Sequence, residues 1–249
     1  MHSITKFAAL AAMLLTLTSC LEYTEKIVIG RDGSATIDVE LRVARTIQTL
    51  VTSNPAFASL AMLMDPDQLA AKLPEGMKLV EHHTIPTAGR TIYENKLYAS
   101  NAQALNTSSS VFKSQSFSVE TLPNGSLRYH RTLDFTSAAK DPEFEAMINE
   151  NRMGIVGILK SAPFVFKFQT PLTVLSTNGA LDNGAVTWNH SLYELLYNKI
   201  DQEVVMAPPT AFDKVIGAGR MLFRPNVFPI FAVVLLGVFF ASTRRPRNA

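Results

Sequence analysis

Apolar and polar residues alternate along much of the chain between residues 26 and 206, and this alternation predicts β-strands. The clearest case is the stretch 35–43, in which every second residue is apolar and the residues between them are polar. The turn Asp32-Gly33 precedes it and predicts a hairpin with the apolar strand 26–29. Further strands are predicted at 77–85, 91–99, 115–121, 126–135, 164–170, 172–176, 185–189 and 204–207.

Helices are predicted between these strand pairs, at residues 56–64, 67–73, 101–111 and 141–150. Asn54-Pro55 and Asp65-Pro66 are typical helix starts, because an Asx side chain caps the first turn and proline fits its first position. Hairpins separated by short helices predict an α+β fold. The sheet is expected to be mainly antiparallel and built from hairpins, with a few short helices on one face.

Residues 1–19 have the pattern of a signal peptide. Lys6 provides a positive charge, and residues 7–17 form an uncharged apolar run. The sequence Leu17-Thr18-Ser19-Cys20 resembles the bacterial lipobox, in which the cysteine receives a diacylglycerol before cleavage on its N-terminal side. Cys20 is the only cysteine, which excludes an intramolecular disulfide. We therefore predict a lipid anchor at Cys20, the alternative being an ordinary cleavage site before a buried cysteine.

The C-terminal region contains 19 uncharged residues, 225–243, which predict a transmembrane helix about 28 Å long. Arg244, Arg245 and Arg247 follow it and indicate a cytoplasmic end by the positive-inside rule. The alternative for this segment is a buried core helix. Residues 244–249 are then a cytoplasmic basic tail, and residues 207–224 are a linker that contains two consecutive prolines.

Between the two ends, residues 20–206 are predicted to be one extracytoplasmic domain. This organisation predicts a single-pass protein of the bacterial cytoplasmic membrane that is also lipid-anchored at Cys20, with the lipid bilayer as a partner. The 249 residues are 47% hydrophobic, which excludes a wholly disordered chain. Residues 21–219 carry 17 basic and 21 acidic side chains, a net charge of −4 that does not indicate a nucleic-acid binder.

Motifs that carry catalysis are absent from the sequence, which lacks a Gly-x-Ser-x-Gly elbow, a His-Glu-x-x-His motif and a phosphate-binding loop. His82 and His83 would point to opposite faces of a strand and so could not chelate one ion. The acidic cluster at 141–145 is typical of a helix N-terminus, the alternative being a catalytic carboxylate pair. We therefore predict no catalytic residue, no metal site and no cofactor.

Two apolar segments, 56–64 and 153–159, are candidates for contact with a ligand or with the membrane surface. The alternative is that both simply belong to the core. The candidate contact residues are Phe57, Leu60, Met64, Ile155 and Ile158.

Several of these features together resemble the LppM-like bacterial lipoproteins. They are the lipobox, the hairpin with Gly30-x-Asp32-Gly33 that follows it and the apolar C-terminal segment. The closest local match is the stretch 170–179, with Pro171 and the turn Asn178-Gly179, followed by a strand that ends at Trp188. The resemblance implies an α/β envelope domain associated with lipid binding, and it implies no catalytic residues.

The sequence thus predicts a non-catalytic, membrane-anchored extracytoplasmic lipoprotein that binds a lipid or an amphiphilic envelope component. One alternative is a scaffold or accessory subunit of a membrane-protein complex. Another is an envelope hydrolase that acts on a glycan or a lipid.

Overall fold

The computed structural model of the chain describes residues 20–30, 32–53, 57–110, 115–150 and 152–208. In these residues the strands form a seven-stranded and a four-stranded sheet. The seven-stranded sheet has the order β3-β4-β2-β1-β7-β10-β9, and the four-stranded sheet has the order β5-β6-β11-β8. The strands are β1 (Leu21–Ile29), β2 (Ala35–Ala44), β3 (Met77–Pro86), β4 (Arg90–Ala99), β5 (Gln115–Thr121), β6 (Leu127–Leu133), β7 (Pro163–Gln169), β8 (Val174–Thr177), β9 (Ala180–Asp182), β10 (Ala185–Ser191) and β11 (Ile200–Met206).

The helices in the described residues are short. They are α1 (Arg45–Ser53), α2 (Ala58–Met62), α3 (Pro66–Lys72), α4 (Thr136–Ala139), α5 (Pro142–Glu150), α6 (Arg152–Ser161) and α7 (Leu192–Tyr197). A 3-10 helix at Ala102–Ser110 occupies the segment predicted as a helix at 101–111. In α3, the side chain of Asp65 accepts hydrogen bonds from the backbone N–H groups of Asp67 and Gln68, as expected for an N-cap.

The α+β class is confirmed, and every strand pair of the described residues except one is antiparallel, but the strands do not form the one sheet that was expected. The structure has two sheets, and the larger one is mixed because β1 pairs with β7 in parallel. The β1–β2 hairpin forms as predicted and turns at Gly33, whose φ is 79°. However, β1 begins at Leu21, five residues before the predicted strand. Local alternation predicts hairpins, whereas a parallel pair joins residues far apart in the chain and leaves no local pattern.

The strict alternation along β1 and β2 gives the seven-stranded sheet two different faces. We call the face that carries Tyr23, Leu41, Leu97 and Phe166 the inner face, because these side chains are buried. The four-stranded sheet packs on this face at β7, where the rings of Tyr129 and Phe168 lie 4.6 Å apart. Helices cover other parts of it. The opposite, half-buried face is called the outer face.

The prediction of a C-terminal transmembrane helix is also wrong for the part of the chain that the structure describes. Within residues 20–30, 32–53, 57–110, 115–150 and 152–208, no helix combines the length and the apolar character needed to cross a membrane. The predicted span at 225–243 and the arginines Arg244, Arg245 and Arg247 lie outside the described residues. The predicted location, as a single-pass protein of the bacterial cytoplasmic membrane, depends on this helix, so that prediction is not supported either.

Candidate functional site

An apolar pocket lies on the inner face, between α2, α7 and β7. Its free volume is about 20 Å³. Its wall consists of seven apolar side chains and one hydroxyl side chain: Phe57, Ser59, Leu60, Phe135, Phe164, Leu192, Leu195 and Leu196. We call it the apolar pocket.

Helix α7 supplies three of these side chains because of how it begins. Ser191 and Glu194 form a capping box, in which each side chain bonds the other residue's backbone N–H. Leu192, Leu195 and Leu196 then share one helix face and are all buried. This helix was not predicted, although the pattern Ser191-x-x-Glu194 before an apolar run was a visible signal for it.

Two aromatic side chains fix the other walls of the pocket. Phe164 of β7 stacks on Tyr23 of the neighbouring β1, with ring centroids 5.2 Å apart. Phe57 meets Phe144 of α5 edge to face at 5.8 Å. Aromatic pairs in these arrangements are favourable beyond their buried area, so both rings are held in place.

The five predicted apolar contacts do not come together at this pocket. Phe57 is buried and Leu60 is half-buried, and both line it. Met64 and Ile155 are half-buried and pack against the core elsewhere. Ile158, on α6, is half-buried as well and is not part of the wall. The two apolar segments therefore do not line one common cavity in this structure.

A second concave site, which we call the charged groove, lies on the outer face and has a volume of about 350 Å³. Charged side chains dominate its lining. The lining residues are Thr24, Lys26, Asp38, Val39, Glu40, Glu81, His83, Glu94, Asn95, Lys96 and Lys167. The register across β3, β4, β2, β1 and β7 aligns five of them in one row: Glu81, Lys96, Asp38, Lys26 and Lys167. This groove was not predicted, because it depends on which strands are neighbours.

A buried ion pair joins the two sheets on the inner face. Arg131 of β6 donates two hydrogen bonds of 2.8 Å to the carboxylate of Glu25 on β1. The hydroxyl of Tyr23 donates to the same carboxylate, at 2.5 Å. Burial and the charge of Glu25 raise the pKa of Tyr23 well above its ordinary value, so the phenol remains a donor. Gln202, in register with Arg131, is fully buried, and its side chain has no hydrogen-bond partner among the described residues.

Cys20, the predicted lipidation site, precedes β1 and is 6% exposed. Its carbonyl accepts a hydrogen bond of 2.7 Å from the Ala44 N–H. Burial raises the pKa of the Cys20 thiol, which makes it a poor nucleophile in this conformation. The lipobox residues Leu17, Thr18 and Ser19 lie outside the described residues.

The histidines of the domain are dispersed. His82 bonds Asn95 and Thr84, His83 lies in the charged groove, and His130 lies 3.4 Å from Asp201. In the part of the chain that the structure describes, no three His, Cys, Asp or Glu side chains are grouped to hold a metal ion. Asp141 accepts a hydrogen bond from the Phe144 N–H, as the helix-start interpretation of the acidic cluster predicts.

Comparison with protein-family models and with curated proteins gave no match. Among solved structures, the chain is similar to the NMR structure of the folded domain of the LppM protein of Mycobacterium tuberculosis. The TM-score is 0.43 and the sequence identity is 12%, over 78% of this chain and 94% of that one. Residues 17–19 of the lipobox and the apolar C-terminal segment lie outside the described residues.

Proposed function

We propose that this protein is a lipoprotein, attached through Cys20, whose domain binds the hydrocarbon chain of a lipid or another amphiphile without catalysing its conversion. The observation that carries the proposal is the composition of the apolar pocket. Seven of its eight wall residues are Phe or Leu, and the eighth, Ser59, offers a single hydroxyl. Such a wall has almost nothing to offer a polar ligand, but it favours a hydrocarbon chain.

The pocket must widen before it can hold such a chain. Its free volume of about 20 Å³ is close to the space that one water molecule needs. The element that can move is α2, which has five residues and carries Leu60. Within the described residues, no side chain caps its N-terminus. A helix this short has little stability of its own and depends on its packing. We therefore expect α2 to move outward when a chain enters the pocket.

The described residues at the pocket also favour binding over catalysis. The wall carries one hydroxyl, and no acid or base belongs to it. Cys20, the strongest nucleophile by residue type, is buried at the start of β1, and in this proposal its sulfur carries the lipid anchor and is not free to react. A chain held here would therefore be held unchanged.

The test uses the full-length protein, expressed in a bacterial host and examined by native mass spectrometry. Collisional activation releases non-covalent lipid but leaves a lipid covalently attached at Cys20. We expect about one releasable lipid per chain. Leu60→Asp should abolish it, because the carboxylate would lie in the pocket wall and lose its hydration when a chain enters.

Ile155→Asp is the matched control, because Ile155 is also half-buried on a helix but does not line the pocket. This variant should retain the lipid, and thermal unfolding should show that both variants fold. A wild-type protein without releasable lipid and without uptake of added lipid would overturn the proposal. An equal loss of releasable lipid in folded Leu60→Asp and folded Ile155→Asp would also overturn the proposal.

A further inference from the structure

The charged groove has its cationic and anionic groups at different places along the outer face. Lys26 and Lys167 lie at the β1–β7 end, whereas Glu40 and Glu94 lie at the β2–β4 end. We propose that this groove binds a zwitterionic phosphate ester, with the phosphate on the two lysines and an amine at the two glutamates. The groove is on the face of the sheet opposite to the apolar pocket, so this inference does not rest on the proposed function.

The lysine pair is the first reason. Lys26 and Lys167 are directly in register on adjacent strands and point to the same face. Like charges in this arrangement repel each other and destabilise a sheet. Among the described residues, neither ammonium group lies within ion-pair distance of a carboxylate. Asp38 is in register with Lys26 but is also in register with Lys96, so its charge is shared between both sides.

An anion with more than one acceptor oxygen satisfies both lysines at once. Phosphate does this well, because lysine ammonium groups bind it as point charges. The groove's volume of about 350 Å³ is at the lower end of the range for small-molecule sites. It therefore suits a headgroup-sized ester.

The β2–β4 end of the groove recognises the amine of the ester. Glu94 and Glu40 are directly in register, and His83 is in register with Glu94 on its other side. Arg42 binds Glu40 at 2.6 Å, whereas Glu94 has no ion-pair partner among the described residues. Glu40 is a diagonal neighbour of Lys26, because Thr24 is its direct partner. Diagonal neighbours lie about 7–8 Å apart. A phosphate and an amine joined by a two-carbon linker can bridge this separation together with their hydrogen bonds to the two side chains.

The same chemistry occurs in a free ester of ethanolamine phosphate and in the headgroup of phosphatidylethanolamine. Calorimetric titration of the full-length protein in a neutral detergent, with glycerophosphoethanolamine as the probe, tests for the site. Glycerol 3-phosphate, which lacks the amine, is the comparison ligand. A repeat with phosphatidylethanolamine added to the micelles distinguishes the two sources.

We expect Lys26→Met combined with Lys167→Met to weaken binding of glycerophosphoethanolamine at least about ten-fold, the effect of losing a charge-assisted hydrogen bond. Glu94→Gln should weaken that ligand but not glycerol 3-phosphate. Lys78→Met is the matched control. Lys78 lies on the edge strand β3, over the Tyr98 ring, and does not line the groove. Without ligand, the melting temperature of the double lysine variant should equal or exceed that of the wild type, since a repulsion is removed.

If micellar phosphatidylethanolamine suppresses binding of the soluble probe, the groove takes a lipid headgroup. If it does not, the groove takes a free ester, and either result supports the proposal. Absence of binding by the wild type overturns it. Unchanged affinity in a folded double lysine variant, or an equal loss in Lys78→Met, also overturns it.

Discussion

The two faces of the seven-stranded sheet use the same strands and the same kinds of charged residue, but in opposite ways. On the inner face, Glu25 and Arg131 are 3% and 1% exposed, and they connect the two sheets. On the outer face, Arg42 and Glu22 form an ion pair that leaves their side chains 39% and 23% exposed. The inner pair is surrounded by aromatic rings, with Phe117 and Phe166 each 4.7 Å from the guanidinium.

This difference shows what burial does to a charge. Taking an ion out of water costs several kcal/mol, which only close partners can offset. The inner pair therefore requires its two sheets to dock in one way, because a shifted position would leave both charges unpaired. The outer charges have water as an alternative partner, so they can be exchanged or used for a ligand at little cost.

The largest expected effect comes from breaking the inner pair. Arg131→Met leaves the Glu25 carboxylate buried and without its cation, which should lower the free energy of unfolding by about 3–5 kcal/mol. Urea unfolding of the full-length protein, followed by circular dichroism, measures this change.

The matched control is the double variant with Glu25→Leu and Arg131→Met. It removes both charges and should recover most of the loss. A loss below about 1 kcal/mol in the single variant would mean that the inner pair behaves like an outer one, and the comparison between the faces would fail.

The second effect concerns packing at the edge of the inner face. A Cβ on Gly179 would lie 2.6 Å from Val186 Cγ1 and 2.7 Å from two atoms of the Trp188 ring. Gly179→Ala should therefore cost about 1–3 kcal/mol, as overpacking does. Trp188 is the only tryptophan, so its fluorescence reports the local change while denaturant unfolding measures the stability.

Gly157→Ala is the control for this variant. Gly157 is exposed in α6, and a Cβ there would meet nothing within 4 Å. Alanine should stabilise the helix by about 0.5–1 kcal/mol. If both alanine variants change stability in the same direction, close packing around Trp188 is not the reason.

These tests concern features that differ in how far the sequence predicts them. The β1–β2 hairpin was predictable because the alternation of Ile37, Val39 and Leu41 and the turn at Gly33 are local signals. In β1, Glu25 has the same phase as the apolar Tyr23 and Ile27, so the sequence indicates a charged side chain that points inward and needs a partner. It does not indicate that this partner is Arg131, because that contact joins residues 106 positions apart.

The apolar pocket shows the same division. Phe57 and Leu60 were predicted as contact residues from their apolar segment, and both line the pocket. Leu195 and Leu196 lie opposite them only because α7 follows β10 and packs back on the sheet, which no local pattern specifies. Ile155 belongs to an equally apolar segment but does not reach the pocket, since hydrophobicity predicts burial without specifying the neighbour.

His190 is a titratable group at the inner face. Its replacement should change stability less than Gly179→Ala does. Its ring lies 6.2 Å from Phe166, and its Nε2 has no hydrogen-bond partner among the described residues. Burial lowers the pKa of His190 below its ordinary value of 6.5, although the charge of Glu194 opposes the shift. The folded state therefore binds this proton more weakly than the unfolded state, so stability falls as the pH drops through 6.5 and levels off below the folded pKa.

His190→Phe should flatten this acid-side slope when urea midpoints are measured as a function of pH. The same variant at about pH 8, where the imidazole is neutral in both states, is the control and should show no loss of stability. An unchanged slope would show that His190 is hydrated like a group on the outer face.

The smallest effect is expected from the outer pair between Lys96 and Glu81. The ammonium and carboxylate lie 3.5 Å apart, and the two side chains remain 43% and 51% exposed. Glu81→Gln should change the free energy of unfolding by no more than about 0.5 kcal/mol, and added salt should remove the difference because it screens exposed charges. Urea unfolding at low and high salt measures both. A salt-independent loss as large as that of Arg131→Met would mean that the charged groove is a structural network, whose charges are then committed to the fold and not available to a ligand.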